Sequence, residues 1–205
     1  MYDSNSPALP AKTMTTATAK RFTIDEYDRL AELGFFSEDD RVELINGEIV
    51  PMVSKGKLHS VCETRLEREL YRLVGERATL RRQQPIIIPD YNELEPDRVI
   101  VQNRDDDYLS AHPGPTNVLL LIEISDSSLK YDQEVKLPIY AEADISDYWI
   151  FNLVNNCLES YSKPYQDLQG KFGYRKKLIF LPDESVNLPC FPDLILELSK
   201  VFPKG

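Results

Sequence analysis

The stretch Val118-Leu119-Leu120-Leu121-Ile122-Glu123-Ile124-Ser125 decides the fold. Up to Glu123 it is wholly aliphatic. It is far shorter than the ~18 residues of a membrane span and has the length of a strand covered on both faces. It therefore reads as the central strand of a layered sheet. An acid inside such a strand is costly unless something compensates it. Glu123 must project into a covered or cleft region, and the rest of the chain has to supply its partner.

Working back toward the N-terminus, Arg98–Val101 and Leu80–Ile88 read as further strands, set apart by turn compositions at Pro89-Asp90 and Glu95-Pro96-Asp97. The polar run from Asn103 to Thr116 is a loop. Lys57–Gly75 is a helix with Cys62, Leu66, Leu70 and Leu73 as its apolar stripe. Before it, Val42–Ile45 and Glu48–Val50 flank Asn46-Gly47, a hairpin signal because both turn positions need positive φ. Ile24–Leu33 is a first helix, opened by the capping box of Thr23 and Glu26 and stopped by Gly34.

Toward the C-terminus, Tyr131–Ala143 suits a helix in which Pro138 marks a kink or a late start. Asp147–Leu153 is again a strand, turned by Asn155-Asn156 into Cys157–Ser162, and further strands fall near Tyr174–Ile179 and Leu194–Leu198. The expected fold is α/β (α+β): a central mixed sheet flanked by helices, with an N-terminal hairpin and extra C-terminal strands. Residues 21–205 form one domain after a disordered Ser/Thr/Ala-rich tail, residues 1–20.

The 205 residues are 42% hydrophobic and 28% charged, enough to bury a core without disulfides or a structural metal. Three widely spaced cysteines and two histidines exclude a zinc finger or ribbon. With no membrane span in the sequence, these features suit a soluble protein of the reducing cytoplasm. The formal charge of −10 argues against simple coating of nucleic acid. Ser54–Arg82 departs from that sign, with basic residues outnumbering acids. There Lys57, Arg65, Arg68 and Arg72 offer a basic helix face, which reads either as a contact for a nucleic-acid backbone or as a solvated surface.

Asp97 and Glu123 are the candidate chemical groups. Two adjacent carboxylates repel and raise each other's pKa unless a divalent cation or a lysine offsets them, and a hard cation with oxygen ligands is a natural partner. Taken singly, Asp97 also reads as a turn aspartate, Glu123 as half of a buried ion pair and Lys136 as a surface lysine. Asp132 stands four residues before Lys136, the spacing of a helical pair. Tyr148, Trp149, Tyr131 and Tyr140 read as packing residues, and His112 has no assigned role.

Several stretches occur together in one order: Phe22-Thr23-Ile24-Asp25-Glu26-Tyr27, Arg41 to Ile49, His59, Glu95-Pro96-Asp97, Leu121 to Ser125, Asp132 to Lys136, Tyr140-Ala141 and Tyr148-Trp149-Ile150. In that order the chain resembles the Uma-type restriction-endonuclease-like proteins, a branch of the PD-(D/E)xK nuclease superfamily. The resemblance implies a restriction-endonuclease-like core and a site in which Asp97 and Glu123 ligate Mg²⁺, with Mn²⁺ as a substitute. It implies Glu43, or its competitor Glu48, as a third acid reaching the metal directly or through water, and His59 as a group near the scissile phosphate. The superfamily's lysine, two residues after the acid, is Ser125 here. Branches that carry this lysine on the next helix point to Lys136.

The implied activity is metal-dependent hydrolysis of DNA by an endonuclease. Two alternatives share the fold: a non-catalytic module that binds nucleic acid or a protein, and a phosphohydrolase of small nucleotides. A homodimer is a further expectation, with the apolar stretch Phe191–Phe202 as its edge or interface.

Overall fold

A computed structural model describes residues 19–37 and 40–203. The expected tail, residues 1–20, lies outside the described residues except for Ala19 and Lys20. In chain order the elements are α1 (Ile24–Glu32), β1 (Val42–Ile45), β2 (Glu48–Pro51), α2 (Lys57–Val74), β3 (Thr79–Arg82), β4 (Ile86–Ile88), β5 (Asn92–Leu94) and β6 (Arg98–Val101). They continue with β7 (Val118–Ser125), α3 (Leu129–Tyr131), α4 (Leu137–Glu142), β8 (Asp147–Asn152), β9 (Cys157–Gln166), β10 (Phe172–Phe180), β11 (Ser185–Leu188) and β12 (Phe191–Glu197). A π-helical turn, Asp132–Lys136, joins α3 to α4.

The aliphatic stretch is β7, and it is central. The six-stranded sheet runs β10-β9-β8-β7-β6-β3, with β7 and β8 parallel and its other pairs antiparallel. A second sheet, β2-β1-β5-β4, and the β11-β12 hairpin complete the strands. Alternation divides β7 between two cores. Leu120, Ile122 and Ile124 join the core under α2, with Cys62, Leu66, Leu70, Trp149 and Phe151. Leu121 faces the other way with Val99, Val101, Tyr148 and Ile150, beneath the smaller sheet and α4. Glu123 shares that second face with Leu121, two residues away.

One expectation is corrected by the packing. Leu80–Ile88 is two strands in different sheets, because Gln83 adopts a left-handed backbone (φ 45°) and Pro85 has no N–H to continue a ladder. The C-terminal stretch Phe191–Phe202, expected as an edge or interface between copies, spends part of its apolar surface within the chain. Leu196, Leu198, Val201 and Phe202 are buried against α2, and Arg65 Nη1 donates to the Phe202 carbonyl at 2.7 Å. Strand β5 and strand β11 were hidden in turn-like composition, since three or four residues carry too little periodicity to be read. Among the described residues no helix is long and apolar enough to cross a membrane.

The Asn46-Gly47 turn forms as its residues require, with φ of 52° and 75°. A Cβ at Gly47 would come within 2.7 Å of Arg21 Cβ and 3.1 Å of the Phe22 carbonyl, whose residue donates its N–H to the Gly47 carbonyl at 2.8 Å. Gly47→Ala is expected to cost about 1–3 kcal/mol, from the left-handed backbone and this close approach together. Urea denaturation checks it, and an unchanged midpoint would contradict the close packing of the N-terminal segment on the hairpin.

Candidate active site

Asp97 lies just before β6, one step beyond the Arg98–Ile122 pair, so antiparallel register sets it opposite Glu123. Both point to the same face of the sheet and both are buried. Their backbones bind them reciprocally: Asp97 N–H donates to Glu123 Oε2 at 3.2 Å, and Ile124 N–H donates to Asp97 Oδ2 at 2.8 Å. Asp97 Oδ2 also accepts from His59 Nε2 at 3.0 Å, near the start of α2, while among the described residues Oδ1 accepts only from Lys55 Nζ at 2.5 Å.

Lys136 closes the other side. Its ammonium donates to Glu123 Oε1 at 3.0 Å and to Glu43 Oε1 at 3.2 Å, and Tyr140 O–H donates to the same Glu123 oxygen at 3.1 Å. Glu43 is the inward acid of the hairpin and also accepts from the Glu95 N–H at 2.8 Å, whereas Glu48 is exposed. Lys136 ends the π-helical turn, a wide turn of the kind found at functional sites. Ser125, which occupies the superfamily lysine position, donates its hydroxyl to Asp132 Oδ2 at 2.6 Å, and Ser128 donates to the same oxygen at 2.7 Å. Asp132 is thus held by two serines, and among the described residues no ion pair joins it to Lys136, because the π turn breaks the α-helical four-residue spacing.

The electrostatics follow from this crowding. Burial pushes the Glu123 carboxyl up to about 8, aided by Asp132, Asp97 and Glu43 and opposed by Lys136. Burial also pushes Asp97 upward, but the His59 hydrogen bond and the Lys55 charge outweigh it and hold it well below the usual carboxylate range. For Lys136, burial favours the neutral amine, and the charges of Glu123 and Glu43 reverse this and keep it an ammonium.

These groups line a cleft with a cavity of about 80 Å³, roofed by residues 50–56 and bordered by Asp126, Ser127 and Ser128. The donor set suits a hard divalent cation. It is made of carboxylate oxygens, and Glu43, Asp97, Glu123 and Asp132 outnumber the ammonium groups of Lys55 and Lys136. Among the described residues no three His, Cys, Asp or Glu side chains gather into a ligand cage. A cation here would take two carboxylates and keep waters, the habit of Mg²⁺.

Residues 24–199 match the Uma2 family, described as "Putative restriction endonuclease". The chain belongs to the Uma2 family. The fold agrees with a crystal structure from Anabaena variabilis, described as "a putative nuclease belonging to DUF820", at a TM-score of 0.64 and 16% identity. The match covers 88% of this chain and 97% of that one. No curated protein matches the chain.

Within this Uma2 member, the structure brings Asp97, Glu123, Lys136, Glu43 and His59 into one cleft. It does not bring the basic helix face there. Lys57 and Arg68 are exposed on α2, Arg65 is tied to Phe202, and Arg72 pairs with Glu69 at 2.8 Å. Sequence reasoning missed Lys55 and Tyr140 as site residues. Lys55 sits in a segment without periodicity, and Tyr140 on an apolar helix face reads as packing, so neither carried a local signal.

Removing Lys136 leaves Glu43 and Glu123 buried without their ammonium. In metal-free protein, Lys136→Met is expected to lower stability by about 3–5 kcal/mol, the cost of breaking a buried pair. Adding Glu123→Gln should recover part of that loss, which a double-mutant cycle in urea measures. Strict additivity would contradict the coupling.

Proposed function

We propose that the protein is a Mg²⁺-dependent endonuclease that hydrolyses phosphodiester bonds of DNA. The observation that carries this reading is the side-by-side burial of Asp97 and Glu123 on neighbouring strands, with acids in excess of ammonium groups around them. Such an excess is costly in a low-dielectric interior, and a divalent cation removes it. Asp97 and Glu123 would hold the Mg²⁺, with Glu43 reaching it through water. When bound, the ion would supply Lewis acidity toward the scissile phosphate.

The chain's own residues supply the rest. Lys136, fixed between Glu123 and Glu43, presents an ammonium that orients the attacking water and offsets negative charge as it develops on the phosphate. Tyr140 holds Glu123 Oε1 in place from a buried position. The Ser125–Asp132–Ser128 bonds brace the start of the π turn, and so the placement of Lys136 at its end. His59 holds Asp97 Oδ2 through Nε2, while its buried Nδ1 has no hydrogen-bond partner among the described residues. The imidazole, which lines the cleft, thereby fixes the Asp97 carboxylate beside Glu123 and stands near the place a scissile phosphate would take.

DNA contacts would come from Lys57 and Arg68 on the exposed face of α2, with Arg65 and Arg72 beside them. The overall charge of −10 restricts favourable phosphate contacts to such local patches. Two copies acting on opposite strands would account for double-strand cutting, and a reducing cytoplasm would suit the free cysteines.

Plasmid cleavage with and without Mg²⁺ tests the activity. Nicking should require the ion, and Asp97→Ala or Glu123→Ala should lower the rate by about 10³-fold or more, with about 10²-fold for Lys136→Met. Activity in chelator, or surviving both acid variants, would overturn the reading. For DNA contact, Lys57→Ala with Arg68→Ala should flatten the salt dependence of affinity by roughly one unit of slope for each lost phosphate contact. An unchanged slope would place the DNA elsewhere.

A further inference from the structure

Lys55 belongs to the basic stretch Ser54–Arg82 but not to its helix face, and it makes the shortest contact in the Asp97–Glu123 site. Its ammonium lies 2.5 Å from Asp97 Oδ1 and 3.9 Å from Glu63 Oε1. Asp97 Oδ2 is fully engaged by His59 and the Ile124 N–H, so Oδ1 is the oxygen left for a cation, and Lys55 sits on it. Lys136 differs in being buried and bridged between two glutamates. Lys55 is partly exposed, with a side chain 20% accessible, and springs from residues 52–56, a segment outside helix and strand that roofs the cleft. Glu63, in turn, is held by Arg98 Nη1 at 3.2 Å, so the pull on Lys55 from its second acid is fixed in place.

We infer that Lys55 is a resident counter-ion for Asp97, which the divalent cation displaces on loading, releasing the ammonium and its segment from the cleft. This rests on the reading of Asp97 and Glu123 as metal ligands. The exchange follows from charge and geometry. A monovalent ammonium and a divalent cation compete for one carboxylate oxygen, and the ammonium stands on a flexible four-carbon stem that can swing toward solvent. The cost of moving Lys55 is then subtracted from metal affinity, and the metal-free site is kept from collapsing into unpaired buried acid.

The test uses full-length protein and Mn²⁺ alone, with binding read by calorimetry and by electron paramagnetic resonance. Lys55→Met should bind Mn²⁺ at least about threefold more tightly than the unaltered chain, the scale of a partly exposed ion pair. In the unaltered chain, acetylation of Lys55 by an amine-reactive ester, followed by mass spectrometry, should be slow without metal and rise on saturation with Mn²⁺. Unchanged or weaker Mn²⁺ binding by Lys55→Met, or Lys55 labelling that does not rise, overturns this inference while leaving the metal site intact. No Mn²⁺ binding by either protein overturns the metal-site reading and this inference with it.

Discussion

Two carboxylates buried face to face on neighbouring strands are the constraint around which this molecule is arranged. Asp97 and Glu123 are placed together by antiparallel register, and the same register lets each accept a backbone N–H from the other's strand. Charge of one sign in a low-dielectric interior is tolerated only with nearby compensation. The molecule supplies it from three directions: Lys136 from the π turn, Lys55 from the roof of the cleft, and His59 from α2. Elements distant in sequence converge here because each brings a group that the two acids require.

Packing makes the convergence rigid. The central strand buries aliphatic side chains on both faces, so Glu123 cannot move without disturbing two cores. The C-terminal segment seals the α2 side, and the smaller sheet, through Glu43, seals the other. The segment without regular structure, residues 52–56, lines the cleft that holds the two acids. Fixed acids beside a segment without regular structure would suit the proposed function, in which the site holds a cation in fixed geometry and admits a polymer.

Much of the fold was legible because its long elements carry strong apolar signals, a continuous run in β7 and a helical stripe in α2. The eight-residue β7 declares itself by its aliphatic run, the eighteen-residue α2 by its apolar stripe, and Asn46-Gly47 its hairpin by backbone requirement. The short β5 and β11 were not legible, and Leu80–Ile88 concealed a change of sheet at Gln83. The acids of the site could be singled out because a carboxylate in an aliphatic strand demands explanation. Lys55 could not, since its role depends on a contact 42 residues away in sequence. Glu43 and Glu48 were indistinguishable until the hairpin's pairing with β5 and the contact of Glu43 with Lys136 were in view.

The central claim is that Asp97 and Glu123 together hold a divalent cation. Diffraction from crystals soaked in Mn²⁺, with an anomalous map calculated at the manganese edge, addresses it most directly. One strong peak in contact with both carboxylates, with Lys136 retained beside Glu123, is the expected result. A well-ordered cleft at saturating Mn²⁺ with no peak between Asp97 and Glu123 would contradict it.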